Sequence, residues 1–181
     1  MKADATDTRV GIVGMGYVGL PLAMSFHAAG LDVLGVERDP GRRDRITASA
    51  SPIDDVSDAQ LQSALGNGFE VRGADHAVLA DVDVAFVCVP TPLTLARDPD
   101  LTAVLDAGSL IASGLRRGQL VILQSTTYPG TTTGPFREVL EATGLKAGVD
   151  FGLAHAPERI NPGDAASIGS PKLVGGLTPA A

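Results

Sequence analysis

Apolar runs and helical patterns alternate along the chain, which predicts strands that are each followed by a helix. Residues 9–13 form an apolar run that breaks into three spaced glycines and then continues with helical spacing, as in a strand, a tight turn and a helix. Further apolar runs predict strands at residues 31–37, 69–72, 82–89, 119–124 and 151–155. Helices are predicted between the strands, including a short one over 74–79 and longer ones over 101–115 and 131–143. The pattern predicts a single α/β domain built on a doubly wound, mostly parallel sheet.

The three glycines of the first turn, Gly14, Gly16 and Gly19, have the spacing of a dinucleotide-binding turn. In such a turn the first glycine permits the bend, the second lets the backbone approach a pyrophosphate, and the third packs the helix on the strand. Tyr17 and Val18 lie between them, at the start of the helix, where unpaired N–H groups favour an anion. The spacing alone is weak evidence, since ordinary turns between a strand and a helix also use glycine.

An acid ends the second predicted strand. Glu37 lies about 20 residues beyond the glycine turn, where a Rossmann fold carries the carboxylate that binds the adenosine ribose hydroxyls. One alternative is that Glu37 simply terminates a strand, but its spacing from the turn favours the ribose role. A carboxylate there repels a 2′-phosphate and favours NAD over NADP, while the neighbouring Arg38 leaves NADP open. Arg42, Arg43 and Arg45 on the next helix are predicted to form a solvated face.

Three polar segments follow apolar strands and are therefore predicted to lie at the same carboxyl edge of the sheet as the glycine turn. They are residues 89–92, 125–132 and 157–164, and their side chains include Val89, Pro90, Thr91, Ser125, Thr126, Glu158 and Arg159. The last segment is too rich in proline and glycine to be helical. Ligands of open α/β sheets bind at this edge.

Composition and charge narrow the possible partners and compartment. The net charge of −7 argues against nucleic acid or an anionic membrane as a partner, because both are bound through clustered Lys and Arg. A single cysteine, Cys88, excludes an internal disulfide and suits a reducing compartment. The N-terminus is polar, and no apolar run approaches the ~20 residues of a membrane span. We therefore expect a cytoplasmic protein, and we predict no metal site.

The glycine turn and the three polar segments together resemble the N-terminal domain of the UDP-glucose/GDP-mannose dehydrogenase family, over residues 9–176. The Tyr-Pro-Gly after Ser-Thr-Thr, and the Glu-Arg-Ile-Asn-Pro-Gly-Asp run at 158–164, are similar to the branch that oxidises UDP-N-acetylhexosamines. UDP-glucose remains the alternative substrate. The resemblance implies oxidation of the sugar C6 alcohol to a carboxylate with two NAD, for polysaccharide biosynthesis.

The resemblance also implies roles for individual residues. Thr126 and Glu158 would lie near the reacting carbon, with Thr126 orienting a water or the oxyanion and Glu158 assisting proton transfer. Glu158 and Arg159 would contact the sugar nucleotide. The expected NAD-binding residues are Gly14, Gly16, Tyr17, Val18, Gly19, Glu37, Arg38, Val89, Pro90, Thr91, Ser125 and Thr126.

The nucleophilic cysteine of the family lies in a Gly-Gly-x-Cys motif of the C-terminal half, and this sequence does not contain that motif. Cys88 cannot replace it, because a cysteine inside an apolar strand run is usually a small buried hydrophobe. We expect a polar tail at 1–8, the NAD-binding domain at 9–176 and the start of the interdomain part at 177–181. The whole protein is expected to be a homodimer or a higher homo-oligomer.

Two alternatives stay open at this point. The chain could be a stand-alone or truncated NAD-binding module that catalyses nothing. It could also be a different Rossmann dehydrogenase, such as a short hydroxyacid enzyme, although such an enzyme would not need the 158–164 run.

Overall fold

A computed structural model describes residues 8–94, 97–157 and 173–179. Its strands are β1 (Arg9–Val13), β2 (Asp32–Val36), β3 (Glu70–Arg72), β4 (Val84–Val87), β5 (Leu120–Leu123), β6 (Gly152–His155) and β7 (Gly175–Gly176). Its helices are α1 (Gly19–Ala28), α2 (Pro40–Thr47), α3 (Asp58–Gly66), α4 (Thr102–Ala112) and α5 (Pro135–Glu141). No helix in these ranges has the length and apolar content needed to cross a bilayer.

The described strands form one sheet in the order β3-β2-β1-β4-β5-β6-β7. The first six strands are parallel to one another, and β7 is antiparallel to β6 at one edge. β1 pairs with β2 on one side and with β4 on the other. The chain therefore changes direction across the sheet between β1 and β4, and ligands of such sheets bind in the crevice outside that point.

Helices cover both faces of the sheet, because the central strands are apolar on both sides. One face packs Val13, Val87 and Leu123 of the strands against Ile111 of α4 and Phe136 of α5. The other face buries a second cluster beneath α1, α2 and α3, and its members include Ile12, Val33, Leu20, Ile46 and Leu61. The predicted doubly wound α/β sheet is confirmed.

Side chains close in sequence define where several helices begin and end. Asp39 accepts a hydrogen bond from the Arg42 N–H at 2.6 Å, and Pro40 occupies the first turn of α2. Ser57 and Gln60 form the predicted capping box of α3. Gly30 has a φ of +86° just beyond α1, which allows the sharp turn into β2.

The short helix predicted over 74–79 was wrong. Residues 76–81 form turns, and Ala77 has a φ of +58°, which an α-helix does not tolerate. The Ala77 N–H donates to Ser113 Oγ at 2.8 Å, so α4 holds this loop in a non-helical shape.

Candidate dinucleotide-binding site

The glycine turn brings three parts of the chain so close together that side chains are excluded from two of its positions. Gly14 has a φ of +97°, and a Cβ there would lie 2.6 Å from the Cys88 carbonyl oxygen. A Cβ at Gly19 would lie only 1.8 Å from the Gly14 carbonyl oxygen. At Gly16, by contrast, the nearest atom to such a Cβ is Arg42 Nη1 at 3.8 Å, so this glycine exposes open backbone. The turn is therefore closely packed at Gly14 and Gly19, whereas the backbone of Gly16 is accessible.

The start of α1 faces the same crevice. Among the described residues no side chain caps this helix, whose N-cap position is Val18. The first N–H groups of an α-helix have no acceptor within the helix and carry the positive end of its dipole. An anion such as a pyrophosphate would satisfy them.

Glu37 is anchored between the glycine turn and α2. Its side chain is buried, with 5% of the residue exposed. The two carboxylate oxygens accept hydrogen bonds from the backbone N–H groups of Met15 at 3.1 Å and Asp39 at 2.9 Å. Arg42 Nη1 lies 3.5 Å from Oε2. A carboxylate offers about four acceptor positions, so these bonds leave room for ribose hydroxyls.

A cavity of about 710 Å³ opens beside Glu37. The ends of β1 and β2 contribute Gly14, Gly16 and Arg38 to its wall, and α4 contributes Asp106 and Leu110 among others. Arg38 Nη1 lies 3.5 Å from Asp106 Oδ2, so an ion pair joins the two walls. The cavity combines apolar walls with one buried carboxylate, a lining that suits a ligand with both an apolar ring and hydroxyl groups.

A second cavity, of about 390 Å³, adjoins the first. Its own lining includes Tyr17, Val18, Thr91, Ser125 and Thr126. The two cavities share Gly16, Arg42, Cys88, Val89 and Pro90. They therefore form one groove that crosses the ends of β1 and β4, at the point where the strand order reverses.

Hydrogen bonds connect residues 89–92 with residues 125–132, the two polar segments that line the smaller cavity. Ser125 is buried, and its Oγ accepts from the Val89 N–H at 3.0 Å and lies 2.7 Å from the Val89 carbonyl oxygen. Thr91 Oγ1 donates to the Thr126 carbonyl oxygen at 2.7 Å. Ser125 thus belongs to the wall, while the exposed Thr126 stands at the groove.

Sequence reasoning did not count Arg42 among the binding residues; its side chain is exposed, as predicted, but it also borders the groove. Arg42 lines both cavities and pairs with Glu37. The signal was present, because Asp39 fixes Arg42 in the first turn of α2 and helical side chains lean toward the N-terminus. The guanidinium therefore reaches back over the glycine turn.

Most of the predicted binding residues meet in this groove. Eleven of the twelve line one or both cavities, namely Gly14, Gly16, Tyr17, Val18, Glu37, Arg38, Val89, Pro90, Thr91, Ser125 and Thr126. Gly19 instead lies beneath the turn, against Gly14. Glu158 and Arg159 lie outside the described residues. Cys88 is buried, as predicted, with 8% of its surface exposed.

Comparison with known proteins decides the family. Residues 8–179 match the NAD binding domain of the UDP-glucose/GDP-mannose dehydrogenase family. The chain belongs to this family. Its predicted family and its NAD cofactor are thereby confirmed. The groove fits NAD, since it offers a carboxylate with free acceptor positions, an uncapped helix start and a glycine turn that closes only without side chains.

Two relatives in this family are named as dehydrogenases of UDP-N-acetylated sugars. The chain is 39% identical over 157 residues to UDP-N-acetyl-D-mannosamine dehydrogenase of Pyrococcus horikoshii. It is 38% identical over 159 residues to UDP-N-acetyl-D-glucosamine 6-dehydrogenase of Pseudomonas aeruginosa. These alignments cover 86% and 87% of this chain but only 37% of each relative.

A solved structure agrees with the sequence comparison. The structure of UDP-D-ManNAc dehydrogenase from Pyrococcus horikoshii superimposes with a TM-score of 0.87 at 35% identity. The superposition covers 96% of this chain and 42% of that one. The chain therefore spans well under half the length of the relatives it matches.

Proposed function

We propose that this chain is the NAD-binding part of a UDP-N-acetylhexosamine 6-dehydrogenase, which oxidises the C6 alcohol of the sugar to a carboxylate with two NAD. The observation that carries the proposal is the continuous groove from Glu37 to Thr126 across the switch point between β1 and β4. The names of the two relatives, one for a UDP-N-acetylmannosamine and one for a UDP-N-acetylglucosamine enzyme, support the substrate class.

In this proposal the dinucleotide lies along the groove with its adenosine in the larger cavity. The ribose hydroxyls donate to Glu37, and Arg38 borders the adenosine. The pyrophosphate crosses Gly16 and the start of α1, where the exposed backbone and the nearby Arg42 compensate its charge. The nicotinamide enters the smaller cavity, between Tyr17 and Val18 on one side and Thr91, Ser125 and Thr126 on the other.

When bound there, NAD accepts the hydride that leaves C6. The chain itself holds the ring at the edge of the sheet and presents the exposed Thr126 beside it. We propose that Thr126 orients a water or the developing oxyanion and that Glu158 assists proton transfer, with Arg159 contacting the substrate.

Capture of the aldehyde needs a thiolate, and Cys88 is poorly placed to supply it. Cys88 is among the residues that line the groove, but only 8% of it is exposed, and a Cβ on Gly19 would lie 3.3 Å from the Cys88 Cβ. Because the sequence contains no second cysteine, we infer that turnover requires a thiolate from outside this chain.

The proposal also covers the compartment, the oligomeric state and the biological role of the protein. We infer a cytoplasmic, homo-oligomeric enzyme that serves polysaccharide biosynthesis. The NAD-binding domain is taken to span 9–176, which is supported by β1 beginning at Arg9 and β7 ending at Gly176.

Calorimetry on this chain tests the proposal. Titration with NAD should show binding, whereas UDP-N-acetylglucosamine should bind little and the mixture should form no NADH. A folded chain that fails to bind NAD would contradict the placement of the cofactor. Steady NADH formation by this chain alone would contradict the need for an outside thiolate.

A fusion tests the activity itself. The chain would be joined to the remaining C-terminal part of the Pseudomonas aeruginosa relative and supplied with UDP-N-acetylglucosamine. We expect two NADH for each sugar nucleotide consumed, because the alcohol and the captured aldehyde each lose a hydride. A fusion that folds and binds NAD yet forms no NADH would refute the assignment as a dehydrogenase half.

A further inference from the structure

A turn at residues 75–78 forms part of the wall of the larger cavity, to which it contributes His76. The Val78 N–H donates to the Asp75 carbonyl oxygen at 3.2 Å, so His76 and Ala77 are the two central residues of the turn. Ala77 has a φ of +58°, a conformation that residues with a side chain adopt only at a cost in free energy. Such strain persists where surrounding contacts impose it, and it is frequent at binding sites.

The C-terminal end of α4 imposes this conformation. Ser113 Oγ accepts the Ala77 N–H at 2.8 Å and donates its own proton to the Leu110 carbonyl oxygen at 2.7 Å. A Cβ at Gly114 would lie 3.0 Å from the backbone nitrogen of Ala80, so the end of the helix touches the loop that contains the turn. The turn is therefore held by a part of the chain that is distant in sequence.

The turn also closes one end of the cavity. Residues of α4 and its C-cap line the cavity at helical spacing, namely Ala103, Asp106, Ala107, Leu110 and Ser113. A helical stretch of this length spans about 15 Å. The cavity therefore extends from Glu37 at the carboxyl edge of the sheet to the turn that carries His76. A base attached to a ribose at Glu37 enters this space with its outer edge toward the turn.

His76 is a polar side chain of this wall that is available to a ligand. Within the ranges that the structure describes, its imidazole takes part in no hydrogen bond or ion pair, and the residue is exposed. Its polar neighbours in the wall are engaged. Arg38 lies 3.5 Å from Asp106, and Ser109 Oγ donates to the Leu105 carbonyl oxygen at 2.9 Å.

We propose that His76 recognises the adenine of NAD by a hydrogen bond to the base edge that carries N1 and the 6-amino group, and that Ser113 positions His76 by holding the turn. This edge of adenine offers an acceptor beside a donor, and a neutral imidazole likewise carries one donor and one acceptor. The apolar Ala107 and Leu110 of the cavity wall suit the faces of the base. This inference rests on the proposed placement of the adenosine in the larger cavity.

An adenine analogue tests the contact. Calorimetry would compare NAD with nicotinamide 1,N6-ethenoadenine dinucleotide, in which a two-carbon bridge blocks N1 and the 6-amino nitrogen. From the net contribution of one hydrogen bond, we expect NAD to bind at least about threefold more tightly than the analogue. A smaller preference overturns the inference and leaves the proposed function standing. A folded chain that does not bind NAD at all overturns the proposed function.

A variant of His76 shows whether the preference arises there. His76→Leu keeps a side chain of similar size but removes both ring nitrogens. NAD should therefore bind at least about threefold more weakly, while the affinity for the analogue changes less than about twofold. His27→Leu is the same change on α1, at a residue that lines neither cavity, and should leave both affinities unchanged. A His76→Leu variant that loses affinity for NAD and for the analogue equally, or for neither, overturns the inference.

A variant of Ser113 tests the positioning role. Ser113→Ala removes the acceptor of the Ala77 N–H, so the preference for NAD over the analogue should fall below about twofold. Adding His76→Leu should reduce the preference no further, because both changes act on the same contact. Ala77→Gly permits the same φ without a side chain and keeps the bond to Ser113, so it should retain the preference. A Ser113→Ala variant that melts at a lower temperature but keeps the preference overturns the positioning role.

Discussion

Replacement of Glu37 by alanine tests where the adenosine ribose lies. The carboxylate accepts the N–H groups of Met15 and Asp39 and lies 3.5 Å from Arg42. Glutamine would not be a mild alternative, because an amide would have to turn its NH₂ group toward one of the two backbone N–H donors. Alanine removes all of these interactions together.

The change should have two separable effects. A hydrogen bond from a ribose hydroxyl to a charged acceptor contributes about 1.5–3 kcal/mol, which corresponds to a roughly 10- to 100-fold loss of NAD affinity. Met15 is fully buried, so its N–H would be left without its present acceptor. That loss should lower the free energy of unfolding by about 1–3 kcal/mol.

Two ligands and one control variant distinguish these effects. Calorimetry would compare NAD with nicotinamide mononucleotide, which lacks the adenosine ribose, and urea unfolding would report stability. Only NAD binding should weaken strongly. Glu138→Ala, an equal change of charge on α5 at a residue that lines neither cavity, should bind NAD normally. If Glu37→Ala weakens both ligands equally, Glu37 anchors the turn but does not bind the ribose.

Two further predictions concern stability. Gly19→Ala would place a Cβ 1.8 Å from the Gly14 carbonyl oxygen, so urea unfolding should show a loss of more than about 3 kcal/mol, and a loss below about 1 kcal/mol would show that the turn can relax. Asp83 accepts the Arg9 N–H and a hydrogen bond from Arg116, and these interactions lower its pKa. The stabilisation is therefore present near neutral pH and is lost as the pH falls below about 4. Asp83→Asn should melt below the wild type near neutral pH, with the gap narrowing in acid, and a gap independent of pH would contradict this.

Local properties of the chain explain why the fold was predictable. A parallel strand covered on both faces is apolar throughout, as at residues 119–124, and this can be read without knowledge of its neighbours. The starts of α2 and α3 could also be predicted from local sequence, because Asp39 and Ser57 cap N–H groups three residues away. The carboxyl ends of parallel strands share one edge, so Thr91 and Thr126 could be expected to meet.

Features that depend on distant contacts were not predictable in this way. Residues 74–79 contain good helix formers, but the bond from Ala77 to Ser113 joins positions far apart in sequence and holds a non-helical turn. The position of Arg42 required the packing of α2 beside the glycine turn as well as the capping of its first turn.

Close contacts join the glycine turn to the wall of the smaller cavity. Gly19 packs against the Gly14 carbonyl, and Gly14 packs against the Cys88 carbonyl at the end of β4. From there Val89 is bonded to Ser125 at the end of β5. This chain of contacts couples the glycine turn to the wall of the smaller cavity, so neither can move far without the other. Binding therefore need not order this part of the chain, and adjustment is left to exposed side chains such as Arg38, whose side chain is 70% exposed.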